Sequence, residues 1–212
     1  MSEKLRIAVL FGNRGFFPGE VVAKAREEMR QAIEMAGFIP VLMDEKLTRY
    51  GAIESLAEGK IFADFLAKER VDGVVICLPN FGDETGAATA CRDAGVPILI
   101  QAYPDEVGKM DFANRRDSFC GKLSIMRVFR QFGIPFSIDT PHVIHPLNPR
   151  FIEQLKEFGG VCRVVNGMRR CTVGAIGART TPFKTVRYDE ITLQKYGISV
   201  ETVDLSEVFG KI

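Results

Sequence analysis

Residues 5–19 read LRIAVLFGNRGFFPG, an apolar run that gives way to glycine, asparagine and arginine and then to aromatic residues, proline and glycine. An uninterrupted apolar run closed by a turn is the pattern of a strand buried on both faces, as in parallel sheets. The residues that follow fit that start. Val22, Ala25, Met29, Ala32, Ile33 and Ala36 recur at spacings of three and four, which predicts a helix over residues 20–36, ended by Gly37. Residues 38–43 read as a second strand, and Ile53, Leu56, Ile61 and Phe65 as one face of a second helix. VDGVVICLP at 71–79 is the most completely apolar strand, followed by a polar loop and a short helix reaching Asp93. Residues 96–102 give a fourth strand, Leu123, Met126, Phe129 and Phe132 a helix face, and residues 135–138 a fifth short strand. Alternating strands and helices specify an α/β fold, here a flavodoxin-like doubly wound parallel five-stranded sheet over residues 1–147.

Beyond residue 147 the pattern changes. Phe151, Leu155, Phe158, Cys162, Val165 and Met168 carry a helical period through Gly159 and Gly160, so residues 148–170 read as one long linking helix. The opening then returns: CTVGAIGAR at 171–179 matches RIAVLFGNR at 6–14 as an apolar strand, a glycine, one residue and an arginine. Each copy runs on to a helix, to a second strand opened by Gly37-Phe38 or Gly197-Ile198, and to Asp44 or Asp204. This internal repeat marks residues 171–212 as the first βαβ unit of a second α/β domain. Two parallel strands cannot cover both faces of their sheet, so this domain reads as incomplete and the chain as part of a longer parent.

Composition narrows the partners. A formal net charge of +1 with no basic cluster argues against nucleic acid, since Arg115-Arg116 and Arg169-Arg170 are isolated pairs. No apolar window of about 18 residues suggests a membrane span, and the N-terminus lacks a signal-peptide pattern. Five cysteines without a CxxC pair suit free thiols in a reducing compartment, so a cytoplasmic location is expected.

Ligands of open α/β sheets bind outside the carboxyl ends of the strands. That rule selects Asn13 and Arg14, the stretch after Met43, Asn80, Phe81, Asp83 and Glu84, Gln101 and Tyr103, and the polar segment Asn114, Arg115, Arg116, Asp117 and Ser118 in an unusually long connection. Arginine, amide, carboxylate and aromatic groups together suit a hydroxyl-rich ligand such as a sugar. Sharper motifs fail. Gly12, Gly15 and Gly19 are spaced GxxGxxxG, neither the dinucleotide fingerprint nor the P-loop. His142 and His145 form an HxxH pair with no carboxylate run to complete a metal set. Asp83 and Glu84 read either as an acid and base pair or as the N-terminal cap of the following helix.

The loops GNRGFFPG, LPNFGDETG and NRRDSFCGK, and above all the passage VCRVVNGMRRCTVGAIGAR leading to TPFKTVRYDE and VETVDLSEVF, resemble the N-terminal region of the L-fucose isomerase and L-arabinose isomerase superfamily, in its fucose isomerase-like branch. The resemblance spans essentially the whole chain. It implies a cytoplasmic ketol isomerase that interconverts an aldose and a ketose through an enediol, using Mn2+ or a similar divalent metal in the intact parent, a homo-oligomer (hexamer or tetramer). It also implies that metal ligands and proton-transfer carboxylates lie beyond residue 212, leaving none in this span, which alone is expected to be inactive. The first domain in that branch lends substrate-recognition residues to a site shared between subunits. Arg14 falls where those enzymes carry a substrate-contacting arginine, and Asn13 adjoins it. The region of their stacking tryptophan holds Pro79, Asn80 and Phe81, and Asn114, Arg115 and Asp117 match the polar loop in position. The same phrases VDGVVICLPNFGDETG and GVPILIQAYPD also suit a non-catalytic sugar-binding domain of the periplasmic-binding-protein or repressor-effector type.

Overall fold

The computed structural model describes residues 4–212. Along the chain run β1 (Arg6–Phe11), α1 (Val21–Met35), β2 (Ile39–Leu42), α2 (Leu56–Lys68), β3 (Gly73–Leu78), α3 (Glu84–Cys91), β4 (Ile98–Ala102), α4 (Ser118–Phe132) and α5 (Pro149–Met168). They are followed by β5 (Cys171–Ile176), α6 (Glu190–Lys195), β6 (Ile198–Val203) and α7 (Leu205–Phe209). The chain divides into two compact units within α5, one ending at Cys162 and the other spanning Arg163–Ile212.

In the first unit four parallel strands lie in the order β2-β1-β3-β4. Alternation along each strand sorts the side chains into two cores. Ile7, Val9 and Phe11 of β1, with Val75, Cys77 and Leu99, face α1 and the first turns of α5. Ala8 and Leu10, with Val74, Ile76, Leu78, Ile98 and Ile100, face α2, α3 and α4. Helices therefore cover both faces, and all six residues of β3 are buried, as its valine-rich sequence requires. Each fully buried aliphatic side chain contributes about 1.5–3 kcal/mol relative to exposure.

Three expectations change. The sheet has four strands rather than five: residues 135–138 pair with β4 through one isolated bridge, Ser137 donating to the Ile98 carbonyl (2.7 Å) and accepting from the Ile100 amide (3.1 Å). Pro135 has no amide hydrogen to extend that ladder. Ile53 lies ahead of α2 rather than on it. It forms a parallel bridge to Gly12, donating to the Phe11 carbonyl at 2.8 Å and accepting from the Asn13 amide at 3.0 Å, while Ser55 caps the helix by accepting from the Glu58 amide. Finally, α5 is more than a connector, because Phe151, Ile152, Leu155, Phe158 and Cys162 are buried in the core of the first unit. Gly159 permits this approach, since a Cβ there would fall on the Phe38 ring.

In the second unit β5 and β6 pair in parallel from Cys171 opposite Ile198 to Ile176 opposite Val203. The helices α6 and α7 are each opened by an aspartate, Asp189 and Asp204, whose side chains accept from backbone amides two or three residues on. No residue from 163 to 212 is buried.

Candidate functional site

A chain that leaves β1, pairs β2 on one side and returns to place β3 on the other opens a crevice where the two connections diverge. At that point Gly12 donates to the Cys77 carbonyl (2.9 Å), holding the loop after β1 against the end of β3. Asn13 and Asn80, the next polar residues on the two loops, are both fully buried. Asn80 Nδ2 donates to Asn13 Oδ1 at 2.5 Å, Asn13 Nδ2 donates to Glu54 Oε2 at 2.5 Å, and Asn80 Oδ1 accepts from the Gly82 amide at 3.2 Å. The bridge at Ile53 is what brings Glu54 into reach. Buried amides partnered this fully fix the backbones of both loops, because an unmade bond at such a depth costs about 1–3 kcal/mol.

On this base stands Arg14. Its guanidinium lies over the Phe81 ring, 4.5 Å from the centroid, and its Nη2 donates to Glu84 and is 3.9 Å from Asp83 Oδ2. Glu84 also accepts from the Ser124 hydroxyl of α4, so one carboxylate joins three elements. Asp83 accepts from the Gly86 amide at 2.6 Å, which makes it the cap of α3, whereas Glu84 serves as the counter-ion of Arg14. Phe81 stacks on Phe17 at 5.8 Å, giving an aromatic face beside the guanidinium. The Phe81 carbonyl packs directly on Gly121 of α4, where any Cβ would overlap it.

The long connection after β4 reaches the same rim. Arg115 lies 5.7 Å over Phe17 and its Nε is 3.3 Å from Asp117 Oδ2. Arg116 anchors the segment: Nη1 donates to the Pro79 carbonyl at 2.9 Å and the guanidinium covers Tyr103 at 5.1 Å. Asp105 accepts from the Arg116 and Asp117 amides at 2.9 and 3.1 Å, and Asp117 takes a left-handed conformation (φ 50) at the start of α4. Beneath it Tyr103 donates to Glu28 of α1 at 2.7 Å, and burial pushes the phenol pKa far up, keeping it a donor.

Asn13, Arg14, Asn80 and Phe81 thus converge, and Arg115 and Asp117 join them through Phe17. Asn114 does not: it bonds Asp111 in an exposed turn at 2.9 Å. Glu84, selected with Asp83 by its place after β3, proves to be the counter-ion of Arg14, whereas Glu54 and Ser124, which complete the network, carry no signal in the sequence, because their partners are about 40 residues away. The two histidines part company, His145 sitting 3.3 Å from Glu28 and His142 against Phe119 at 6.0 Å. Among the described residues no three histidine, cysteine, aspartate or glutamate side chains gather as a metal site, and none of the described helices is long and apolar enough to cross a membrane.

Comparison with curated proteins returns no match. Residues 8–169 match the family model for the fucose/sulfoquinovose isomerase N-terminal domain, a stretch that includes both loops of the crevice, the polar segment of the long connection and all of α5. The chain therefore belongs to the fucose/sulfoquinovose isomerase N-terminal domain family.

Proposed function

We propose that the rim around Arg14 is the sugar-recognition surface of an aldose–ketose isomerase, lent to an active site shared between subunits of a homo-oligomer, a hexamer or tetramer. Membership of a sugar isomerase family supports the reaction class. The observation that carries the assignment to this rim is the guanidinium of Arg14, clamped on one edge by Glu84 and lying on Phe81. With Nη2 engaged, Nε and Nη1 remain as donors on a side chain 27% exposed. A sugar placed there accepts from these donors and rests an apolar ring face on the phenyl groups. Held rigidly by buried amides, such donors bind without paying again for their own ordering.

The enzyme as a whole is proposed to interconvert its sugars through an enediol with a divalent metal such as Mn2+. The described residues do not assemble a site for that ion, so their role in this reading is to bind and orient, and no proton transfer is assigned to them. In the assembled enzyme, Arg14→Ala is expected to raise KM or lower turnover while metal affinity stays the same; loss of metal binding would contradict a recognition role. Solvent deuterium appearing at C1 or C2 of the sugar separates an isomerase from a binding module, which holds sugar without exchanging it. No exchange with any aldose or ketose tested, manganese supplied, ends the isomerase reading.

A further inference from the structure

The charge balance of the rim bears on which sugars it takes. Each guanidinium there already faces a carboxylate: Arg14 meets Glu84 and Asp83, Arg49 lies 3.8 Å from Glu54, Arg115 lies 3.3 Å from Asp117, and Arg116 lies 3.4 Å from Glu106. Arg14 alone is shared between two acids, which leaves its immediate surroundings with an excess of negative charge. Glu54, Asp83 and Glu84 are also poorly exposed, with side chains only 17%, 22% and 20% accessible, so solvent and salt screen them weakly.

We infer that this site selects uncharged, hydroxyl-rich sugars over sugars carrying a fixed anion such as a sulfonate. The inference rests on the sugar-recognition reading above and narrows its substrate class. Two physical effects act in the same direction. A sulfonate brought to Arg14 meets Glu84 and Asp83 at the same distance scale as the guanidinium, and like charges in a weakly screened setting repel. A sulfonate also has no hydrogen to donate, so it forms no bond to the carboxylate oxygens to offset that repulsion. A hydroxyl group accepts from Arg14 and donates to Glu84 or Asp83, using both halves of the pair.

The test uses the assembled enzyme, in which the shared site is complete, and two matched series, D-quinovose with sulfoquinovose and L-fucose with its 6-sulfonate, each pair differing only at C6. Affinities come from saturation-transfer titrations. In whichever series binds, the neutral member is expected to bind at least about tenfold more tightly. Glu84→Gln, checked for native circular dichroism, should narrow that gap by several-fold. Equal or tighter binding of the sulfonated member, or a gap unmoved by Glu84→Gln, overturns the inference and leaves the recognition site standing. Binding in neither series overturns the recognition reading itself, and the inference with it.

Discussion

The stretches RIAVLFGNR at 6–14 and CTVGAIGAR at 171–179 each open a parallel βαβ unit, β1 pairing β2 and β5 pairing β6. Their surroundings differ. On its other side β1 has β3, and helices cover both of its faces, so that Phe11 is 1% exposed. Among the described residues β5 has β6 alone, and Ile176, which aligns with Phe11, is 69% exposed. The same order of residue types thus sets strand pairing and the turn in both units, while burial comes from the third strand and the covering helices. Side-chain partners follow burial: Arg14 meets Phe81 and Glu84 because β3 ends beside β1, while among the described residues Arg179 has no counterpart of β3 to meet.

Breaking the aligned pair gives the largest effect. Phe11→Ala is expected to destabilise the first unit by about 3–5 kcal/mol, through lost transfer energy and a cavity. Ile176→Ala should stay within about 0.5 kcal/mol in the second unit. Hydrogen exchange of the strand amides reads each unit separately. Comparable losses at both positions would show that β5 is as fully packed as β1.

The glycines opening the second strands sharpen the comparison in the opposite direction. Gly37 and Gly197 both hold positive φ, at 89° and 81°. A Cβ at Gly37 meets open space, whereas one at Gly197 falls on the Arg169 carbonyl oxygen. Gly37→Ala should therefore cost only the left-handed penalty, about 1–2 kcal/mol. Gly197→Ala should cost about 1–2 kcal/mol more, since backbone must move. Denaturant melts of each unit check the ranking, which makes the exposed copy the less tolerant one at this position.

Ionisation separates the units more finely. Lys122 is buried in the first unit, its Nζ donating to the His142 carbonyl at 2.9 Å, and desolvation brings its pKa down to about 8 from 10.5. Between those values the unfolded chain binds the extra proton, so this group makes stability rise with pH, fully gained above 10.5 and lost as pH falls through 8. The gain is on the order of 3 kcal/mol. Buried Cys77 and Cys91, whose pKa values are raised, act oppositely, so the quantity to measure is wild type minus Lys122→Met. That difference should grow from pH 8 to 10; a flat difference would mean that Lys122 is hydrated.

Much of this was legible along the chain. The apolar runs at β1 and β3 and the period of α1 have physical signatures within a few residues, and the repeat announced β5 and β6. Residues 135–138 looked like a fifth strand because propensity does not register that Pro135 removes a ladder donor. Ile53 fitted a helical spacing with Leu56, although its amide and carbonyl bond the loop after β1 instead. In the site, Asn13, Arg14, Asn80 and Phe81 followed from the rule that ligands bind at strand ends. Glu84 was selected by the same rule, though not its pairing with Arg14; Glu54 and Ser124 were not, because pairing across the sheet leaves no periodic trace. Asn114 was misleading for the converse reason: a polar residue in a long loop is as well satisfied by its own turn as by a ligand.

The central claim is that the crevice after β1 and β3, and not its echo after β5, recognises sugar. It is tested most directly by titrating L-fucose and D-quinovose into the assembled enzyme, labelled in this chain, and following the Arg14 Nε–H, the Asn13 and Asn80 side-chain amides, and the Gly177 and Arg179 signals. The account predicts shifts at Arg14, Asn13 and Asn80 that vanish in Arg14→Ala, with Gly177 and Arg179 unmoved. Shifts at Gly177 and Arg179, or none at the first three residues, would contradict it.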